Sequence, residues 1–275
     1  MALYSRCFGS WSAKRFEQRW RWQYEANPYS RQHPAFVQVG FSGKRAVAYL
    51  GAFPLPLRLA DRRCVALCAA DLVTDTGYGS AALQMLENCT RKGPLLGTGL
   101  SEAAMKLFRY FGGRAVPLSR QRFVYPIRYR ASLCQSLRRH APPWIGWAAA
   151  PLIVGPFDRW VAARRNVELR PVPLAQGGLD VRPIRRFEAS YDALWERATR
   201  LIRYSIDKTS EYLNWRYVDC PTANPIRLGA FDARGRLTDI VVAAAYAEID
   251  RYGRPCGTSG EILELIGDGN RPRTL

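Results

Sequence analysis

The stretch DLVTDTGYGSAALQML, residues 71–86, decides the fold. It reads as the apolar end of a strand, two glycines at 77 and 79, and then a helix. Glycines between a buried strand and a helix N-terminus let backbone N–H groups point at an anion, with the helix dipole favouring the negative charge. A purely structural turn needs glycine too, because glycine reaches positive φ at no steric cost. The stretch lacks the lysine of a P-loop, which argues against NTP hydrolysis. No acidic residue closes a strand about 20 residues further on, which disfavours a dinucleotide fold.

Working outward, residues 12–26 carry Phe16, Trp20 and Tyr24 on one helical face, and Asn27-Pro28 ends that helix. AFVQVGF (35–41) and RAVAYLGAF (45–53) read as strands around a turn at Gly43, and RRCVALCAADLV (62–73) as a buried strand leading into the glycine turn. A helix over 80–92 follows, with Ser80 as its N-cap and Ala82, Leu83, Leu86 and Cys89 facing the core. PLLGTGL (94–100) is a short strand. Ser101 then caps a helix with Ala104, Leu107, Phe108 and Phe111 on one face, stopped by Gly112-Gly113. RAVPLSRQRFVYPIRY (114–129) reads as extended chain. Strands alternating with helices make the fold class α/β.

Residues 133–177 change character, with paired arginines, paired prolines and tryptophan clusters. They read as a connector, or as an amphipathic segment lying on a membrane surface. Beyond them the chain repeats itself. RWQYEANP (21–28) and NWRYVDCP (214–221) superpose at an offset of 193, matching Trp22 with Trp215, Tyr24 with Tyr217 and Pro28 with Pro221. A strand, a glycine turn (Gly43, Gly235) and an Ala/Val-rich strand follow in both copies. The second copy stops at EILELIGDGNRPRTL, where the first reaches its Gly-x-Gly turn. Three segments are expected: a first domain over 1–132, the connector over 133–177, and a second, incomplete domain over 178–275.

Composition bounds the class. With 275 residues, 48% hydrophobic and 23% charged, the chain suffices for a globular core in one large domain or two modest ones. The formal charge is +18, and 36 of the 41 basic residues are arginine. GC-rich codons raise arginine content, yet a positive field still favours anionic partners such as tRNA or an anionic membrane surface. Seven cysteines show no metal-ligand spacing, so they read as free thiols of a reducing cytoplasm, with no metal site. The opening residues lack a signal-like apolar core. The longest apolar stretch, residues 144–157, is too short to span a bilayer, so no transmembrane segment is expected. Neither His33 nor His140 belongs to a Ser/His/Asp set.

The order of elements and two spaced motifs resemble the GNAT (GCN5-related N-acetyltransferase) superfamily. That family's pyrophosphate loop reads Arg/Gln-x-x-Gly-x-Gly/Ala before a helix. It falls here on Thr74, Gly77 and Gly79, or two residues later on Thr76, Gly79 and Ala81. A second signature, Asn-x-x-Ala-x-x-Leu-Tyr-x-x-x-Gly-Phe, is matched in spacing by Ser101, Ala104, Leu107, Phe108, Gly112 and Gly113. Threonine replaces the loop's Arg/Gln, serine stands for asparagine at 101, and Phe108 stands for the tyrosine that commonly protonates the departing thiolate.

The resemblance implies a mixed sheet flanked by helices, in two GNAT-like units of which the second lacks its C-terminal part. It also implies acetyl-CoA or another acyl-CoA as donor. The backbone of Leu72, Val73 and Thr74 would pair with the pantetheine arm. The amides of Gly77, Tyr78, Gly79, Ser80 and Ala81 would bind the pyrophosphate, with Ser101 nearby. The reaction is attack of an amine or hydroxyl on the thioester, which needs a base and an acid. Asp71 is the candidate base, and Tyr78 the candidate acid in place of Phe108. Two GNAT-like halves also resemble the aminoacyl-tRNA-dependent transferases of peptidoglycan bridges. A catalytically degenerate binding module is the third reading.

Overall fold

The computed structural model describes residues 3, 4, 6, 13–59, 62–115, 179–202, 204–249 and 255–267. They fall into two compact units. The first holds the described residues up to 115 together with 184–224, and the second holds 179–183 and 225–266. This differs from a division at residue 178, because 184–224 pack with the first unit. The expected connector over 133–177 and most of the extended chain over 114–129 lie outside the described residues.

In chain order the elements are α1 (Ala13–Trp20), a π-helix (Arg21–Glu25), a 3₁₀ turn (Pro28–Arg31), β1 (Phe36–Ser42), β2 (Arg45–Leu59), β3 (Arg62–Thr74), α2 (Gly79–Thr90), β4 (Leu95–Gly97) and α3 (Glu102–Tyr110). Then come β5 (Asp180–Pro183), α4 (Ala189–Ala198), β6 (Tyr204–Ile206), α5 (Ser210–Leu213) and a second π-helix (Asn214–Val218). β7 (Ile226–Phe231), β8 (Leu237–Ile249) and β9 (Pro255–Gly267) complete the order.

The first unit's sheet runs β1-β2-β3-β4. Its first three strands are antiparallel, β4 is parallel to β3, and β6 pairs with the far end of β2. β2 continues six residues past the expected end at Phe53, through Pro54 and Pro56. Their carbonyls accept from Asn27 Nδ2 and the Asp207 amide, both at 2.9 Å, instead of from β3. The missing N–H groups therefore fall outside the β2–β3 ladder, in the gap between β1 and β6, where a strand tolerates proline.

One face of this sheet packs on α2. Ala48, Leu50, Ala52, Leu67 and Ala69 meet Met85 and Cys89. Small residues on the strands let the helix approach closely, and burial pushes the Cys89 thiol up to about 11. Met85 takes the core place expected of Leu83, which is 36% exposed. α3 ends as expected at the glycine pair. The Gly112 amide donates to Arg109 and that of Gly113 to the Phe108 carbonyl, a Schellman motif with Gly112 at φ 79°.

The opposite face carries both copies of the repeat. Trp22 and Trp215 stack at 4.9 Å between ring centroids and 17° between planes. Each indole N–H donates to the other's backbone carbonyl, at 2.8 Å from Trp22 and 3.0 Å from Trp215. Both tryptophans are buried, as are Tyr24 and Tyr217. The sequence pattern anticipates that burial, but under two separate sheets; the structure instead pairs the two indoles within one unit. Each tryptophan sits in a π-helix closed by an i→i−5 bond, Ala26 to Arg21 at 2.8 Å and Asp219 to Asn214 at 2.9 Å. The wider turn brings Trp22, Gln23 and Tyr24 consecutively into the interior, which an α-helix does not do.

The second unit is a four-stranded sheet ordered β5-β7-β8-β9. Its β7–β8 turn is held by Asp232 Oδ1, which accepts from the amides of Arg234 and Arg236, and Gly235 takes φ 73°. Gly43 plays the same part in the first unit at φ 58°. Among the described residues no helix is long and apolar enough to cross a membrane.

Two measurements check this architecture. Trp22→Ala and Trp215→Ala are each expected to lower unfolding free energy by about 3–5 kcal/mol in urea titrations. The double variant should lose less than the sum, because either change already removes the shared stack. Separately, the hydrogen bond from Arg58, reinforced by Arg63, holds the Glu196 carboxyl below its ordinary range. The stability it contributes is complete above about pH 4.3 and is lost as acid titrates the lowered group. Glu196→Gln should thus cost more at neutral pH than at pH near 3, read from thermal melts.

Candidate functional site

β3 is paired on one side along its length, but on the other only at Leu67–Ala69, where it meets Leu95–Gly97 of β4. From Ala70 to Val73 no strand pairs with that second edge among the described residues. β4 is short for a local reason. A Cβ at Gly97 would lie 2.7 Å from Leu100 and 2.9 Å from the Phe108 ring, so the strand ends where α3 lays Phe108 across it. Gly99 then turns the chain at φ 61°. The pairing of β2 with β3 also slips here: Gly51 opposes Asp71 while Ala52 opposes Ala69. Ala70 is thus the extra residue of a β-bulge, which redirects the side chains that follow.

The open edge runs into the glycine turn. Gly77 adopts φ 89°, which only glycine takes without strain, and the Tyr78 amide donates to the Asp75 carbonyl at 3.1 Å. α2 begins at Gly79 with Tyr78 as a cap that offers no side-chain acceptor. Ser80, expected as the cap, lies inside the first turn instead. Ala81 donates to the Tyr78 carbonyl at 3.0 Å. Of the five amides expected to face an anion, those of Tyr78 and Ala81 are thus committed within the turn. Those of Gly77, Gly79 and Ser80 meet no acceptor among the described residues. This arrangement favours the register on Thr74, Gly77 and Gly79, since Ala81 of the alternative has no donor to offer.

Around the turn, Arg6 and Arg45 both pair with Asp75, at 2.9 Å and 2.6 Å. The Arg6 hydrogen bond, with Arg45 beside it, holds the Asp75 carboxyl below the usual carboxylate range. The Tyr78 side chain is 37% exposed. Leu72 packs toward α2 and Val73 is buried on the opposite face, against Tyr4. Ser101 accepts from the Ala104 amide at 3.2 Å, so its hydroxyl is engaged in capping α3. Tyr110 is 77% exposed, on the side of α3 away from Phe108's packing.

Asp71 projects to the face away from α2, and it is only 6% exposed. Its Oδ1 accepts from Arg19 at 2.7 Å and from the Tyr4 hydroxyl at 3.3 Å. Its Oδ2 accepts from the Tyr24 hydroxyl at 2.9 Å and from Gln23 at 3.3 Å. Both oxygens are therefore engaged, and a direct approach of a nucleophile to this carboxylate is closed. Burial first, and then the Asp71 charge, push the Tyr24 phenol upward, so it stays a donor. Tyr49 accepts from the Trp20 indole at 3.3 Å. Sequence reading found Asp71 but missed Arg19, Gln23, Tyr24 and Tyr49 as its surroundings. Tyr24 did carry a signal, as part of the repeated W-x-Y pattern.

No protein-family model matches the chain, and no curated protein does. Among solved structures, a conserved protein of unknown function from Enterococcus faecalis V583, described as a probable N-acyltransferase, aligns over 98% of this chain at 9% identity and TM-score 0.53. This chain spans 55% of that protein's length. N-myristoyltransferase of Saccharomyces cerevisiae with bound myristoyl-CoA aligns at 11% identity, over 94% of this chain and 64% of that one, with TM-score 0.47. A GCN5-related N-acetyltransferase from Kribbella flavida aligns at 14% identity, over 97% and 54%, also at 0.47. The strand order, the parallel pair that parts beyond Ala69 and the Enterococcus match give this chain a GNAT-like fold, a mixed sheet flanked by helices.

Proposed function

We propose that this protein is an acyltransferase that moves an acyl group from acyl-CoA to an amine or hydroxyl acceptor. One observation carries the reading: the edge of β3 over 70–73, which no strand pairs among the described residues, leads into three amides that meet no acceptor among them, at a helix N-terminus without a side-chain cap. Unsatisfied N–H groups at a helix start attract a phosphate. An open strand edge takes amide groups of an extended ligand such as a pantetheine arm. In this reading Leu72, Val73 and Thr74 pair with the arm, and Gly77, Gly79 and Ser80 hold the pyrophosphate. Tyr78, half-exposed beside them, protonates the departing thiolate, and Asp71 is the ultimate proton acceptor. The likeness in fold to a probable N-acyltransferase supports the assignment. Three amides in one turn suit a pyrophosphate better than the spaced phosphates of an RNA donor.

Calorimetric titration with acetyl-CoA, longer acyl-CoAs and bulk tRNA tests the donor. Saturable acyl-CoA binding is expected; no acyl-CoA binding at millimolar concentration would overturn the reading, and tight tRNA binding alone would replace it. Gly79 gives the sharper probe. A Cβ there meets nothing within 4 Å, and its φ is ordinary, so Gly79→Val should fold with an unchanged melting temperature. It should nonetheless lose most acyl-CoA affinity by blocking the close approach of a phosphate. Gly77→Val, in contrast, is expected to cost about 1–2 kcal/mol of stability, because valine must take φ 89°.

A further inference from the structure

We propose that the tip of the β1–β2 hairpin docks on the surface of an anionic lipid bilayer. Phe41 and Val39 enter the boundary of the acyl chains, while Lys44 and Arg45 meet the phosphates of the headgroups. The surface is separate from the acyl-donor site, and either can fail alone.

β1 alternates strictly between its two faces. Phe36 packs toward α2, and a Cβ at Gly40 would lie 3.0 Å from the end of Met85, so the even positions face that helix. Val37, Val39 and Phe41 therefore share the opposite face, and all three are exposed, Phe41 at 66%. On the next strand Tyr49, which opposes Val39 in register, is covered by Phe16 and bonded to the Trp20 indole. That cover stops short of β1. Among the described residues β1 is also the outermost strand of its sheet. Edge strands are ordinarily blunted with charged side chains, so an exposed apolar row on one marks a contact surface.

Charge selects the partner. From Ala26 to Ala60 the sequence has no aspartate or glutamate, whereas Arg31, Lys44, Arg45 and Arg58 fall within it. Two of these stand at the hairpin tip. A Cβ at Gly43 would meet nothing within 4 Å, so the turn projects clear of the protein. Lys44 is exposed and meets no carboxylate among the described residues. Arg45 pairs with Asp75, but Arg6 pairs with the same carboxylate, so the three together keep a net positive charge. The tip thus offers cations and apolar side chains side by side, with no free acid to repel a phosphate.

An anionic bilayer supplies both complements within one layer. Phe41 and Val39 lie about 7 Å apart along the strand, which matches the roughly 5–10 Å to which interfacial segments sink. The unpaired backbone edge of β1 holds the strand itself at headgroup level, since N–H and C=O groups left without partners do not enter hydrocarbon. A nucleic acid would use the cations but not the valines, which have no ring face for a base to stack on. The docked tip lies at the same end of the sheet as the glycine turn. The Asp75 amide donates to the Val47 carbonyl at 2.8 Å, and Asp75 opens that turn. Docking therefore brings the turn at Gly77 close to the lipid surface.

Vesicle sedimentation tests the surface with two lipid compositions, phosphatidylcholine alone and equal parts phosphatidylcholine and phosphatidylglycerol. The wild-type chain should pellet with the anionic vesicles and not with the neutral ones, and less as salt rises from about 0.1 to 1 M. Phe41→Ser should weaken binding roughly tenfold and Lys44→Glu at least about fivefold. Both side chains are exposed, so melting temperatures should not move. The chain carries a formal charge of +18, which draws it toward any anionic surface, so the controls change equally exposed residues elsewhere. Tyr110→Ser on α3 and Lys92→Glu, past the C-terminal end of α2, should bind nearly as wild type does. Failure to pellet with anionic vesicles, equal pelleting with neutral ones, or a loss in Lys92→Glu as large as in Lys44→Glu overturns the proposal. Binding that survives Phe41→Ser overturns it too, and makes the hairpin a surface for a polyanion such as RNA.

Discussion

The reciprocal hydrogen bond between Trp22 and Trp215 is the contact on which the first unit depends. Its partners lie 193 residues apart, and it brings the segment 184–224 onto a sheet otherwise built from the first 100 residues. The indoles stack, each satisfies the other's backbone carbonyl, and Phe53 and Tyr212 close around Trp215 at 5.9 Å and 5.8 Å. A buried indole needs an acceptor for its N–H. Here the acceptor is the matching turn of the other copy, so the pairing holds both at once.

The same π-helical turn serves the site. Because the turn is wide, Trp22 enters the clamp while Gln23 and Tyr24, next in sequence, reach Asp71. Clamp and carboxylate cluster are consequently one rigid object. The glycine at 51 completes it, since any side chain there would push Tyr24 away from Asp71. On the other side of β3, the bulge at Ala70 separates residues that face α2 from those that face the cluster, and pairing with β4 stops one residue earlier. The unpaired edge and the acid cluster therefore meet back to back across a single strand.

Local chemistry made much of this legible. The Gly77 turn, the α2 start within one residue, the Ser101 cap and the Gly112-Gly113 stop all follow from residues that act on their immediate neighbours. What stayed hidden depends on partners far along the chain. The pattern W-x-Y foretold burial of both tryptophans, but no spacing says that one indole seeks the other. A π-turn breaks the 3.6-residue periodicity on which helix reading relies, so Gln23, off the face of Phe16, Trp20 and Tyr24, carried no signal of burial. Pro54 and Pro56 looked like the end of a strand, and continue it because β1 has already ended beside them. Arg19, on a half-exposed helical face, gave no hint that it would neutralise Asp71 at 2.7 Å.

The offset of 193 extends further than the tryptophans. β3 at Arg62–Thr74 and β9 at Pro255–Gly267 have bounds that differ by the same number, as do the two π-helices. Asp71 corresponds to Glu264, and both acids are buried. We read this as the trace of a duplication in which the carboxylate at the strand end is retained. The residues that follow diverge instead. At the positions of Gly77 and Gly79 the second copy has Asn270 and Pro272, and proline carries no N–H to offer an anion. A buried acid repeated without its neighbouring amides argues that the acid belongs to the architecture of each copy. Glycines at these two positions belong to the first copy alone. Asp71 is on this view a structural post first, a charge that the fold has to bury and satisfy with Arg19, Tyr4, Gln23 and Tyr24.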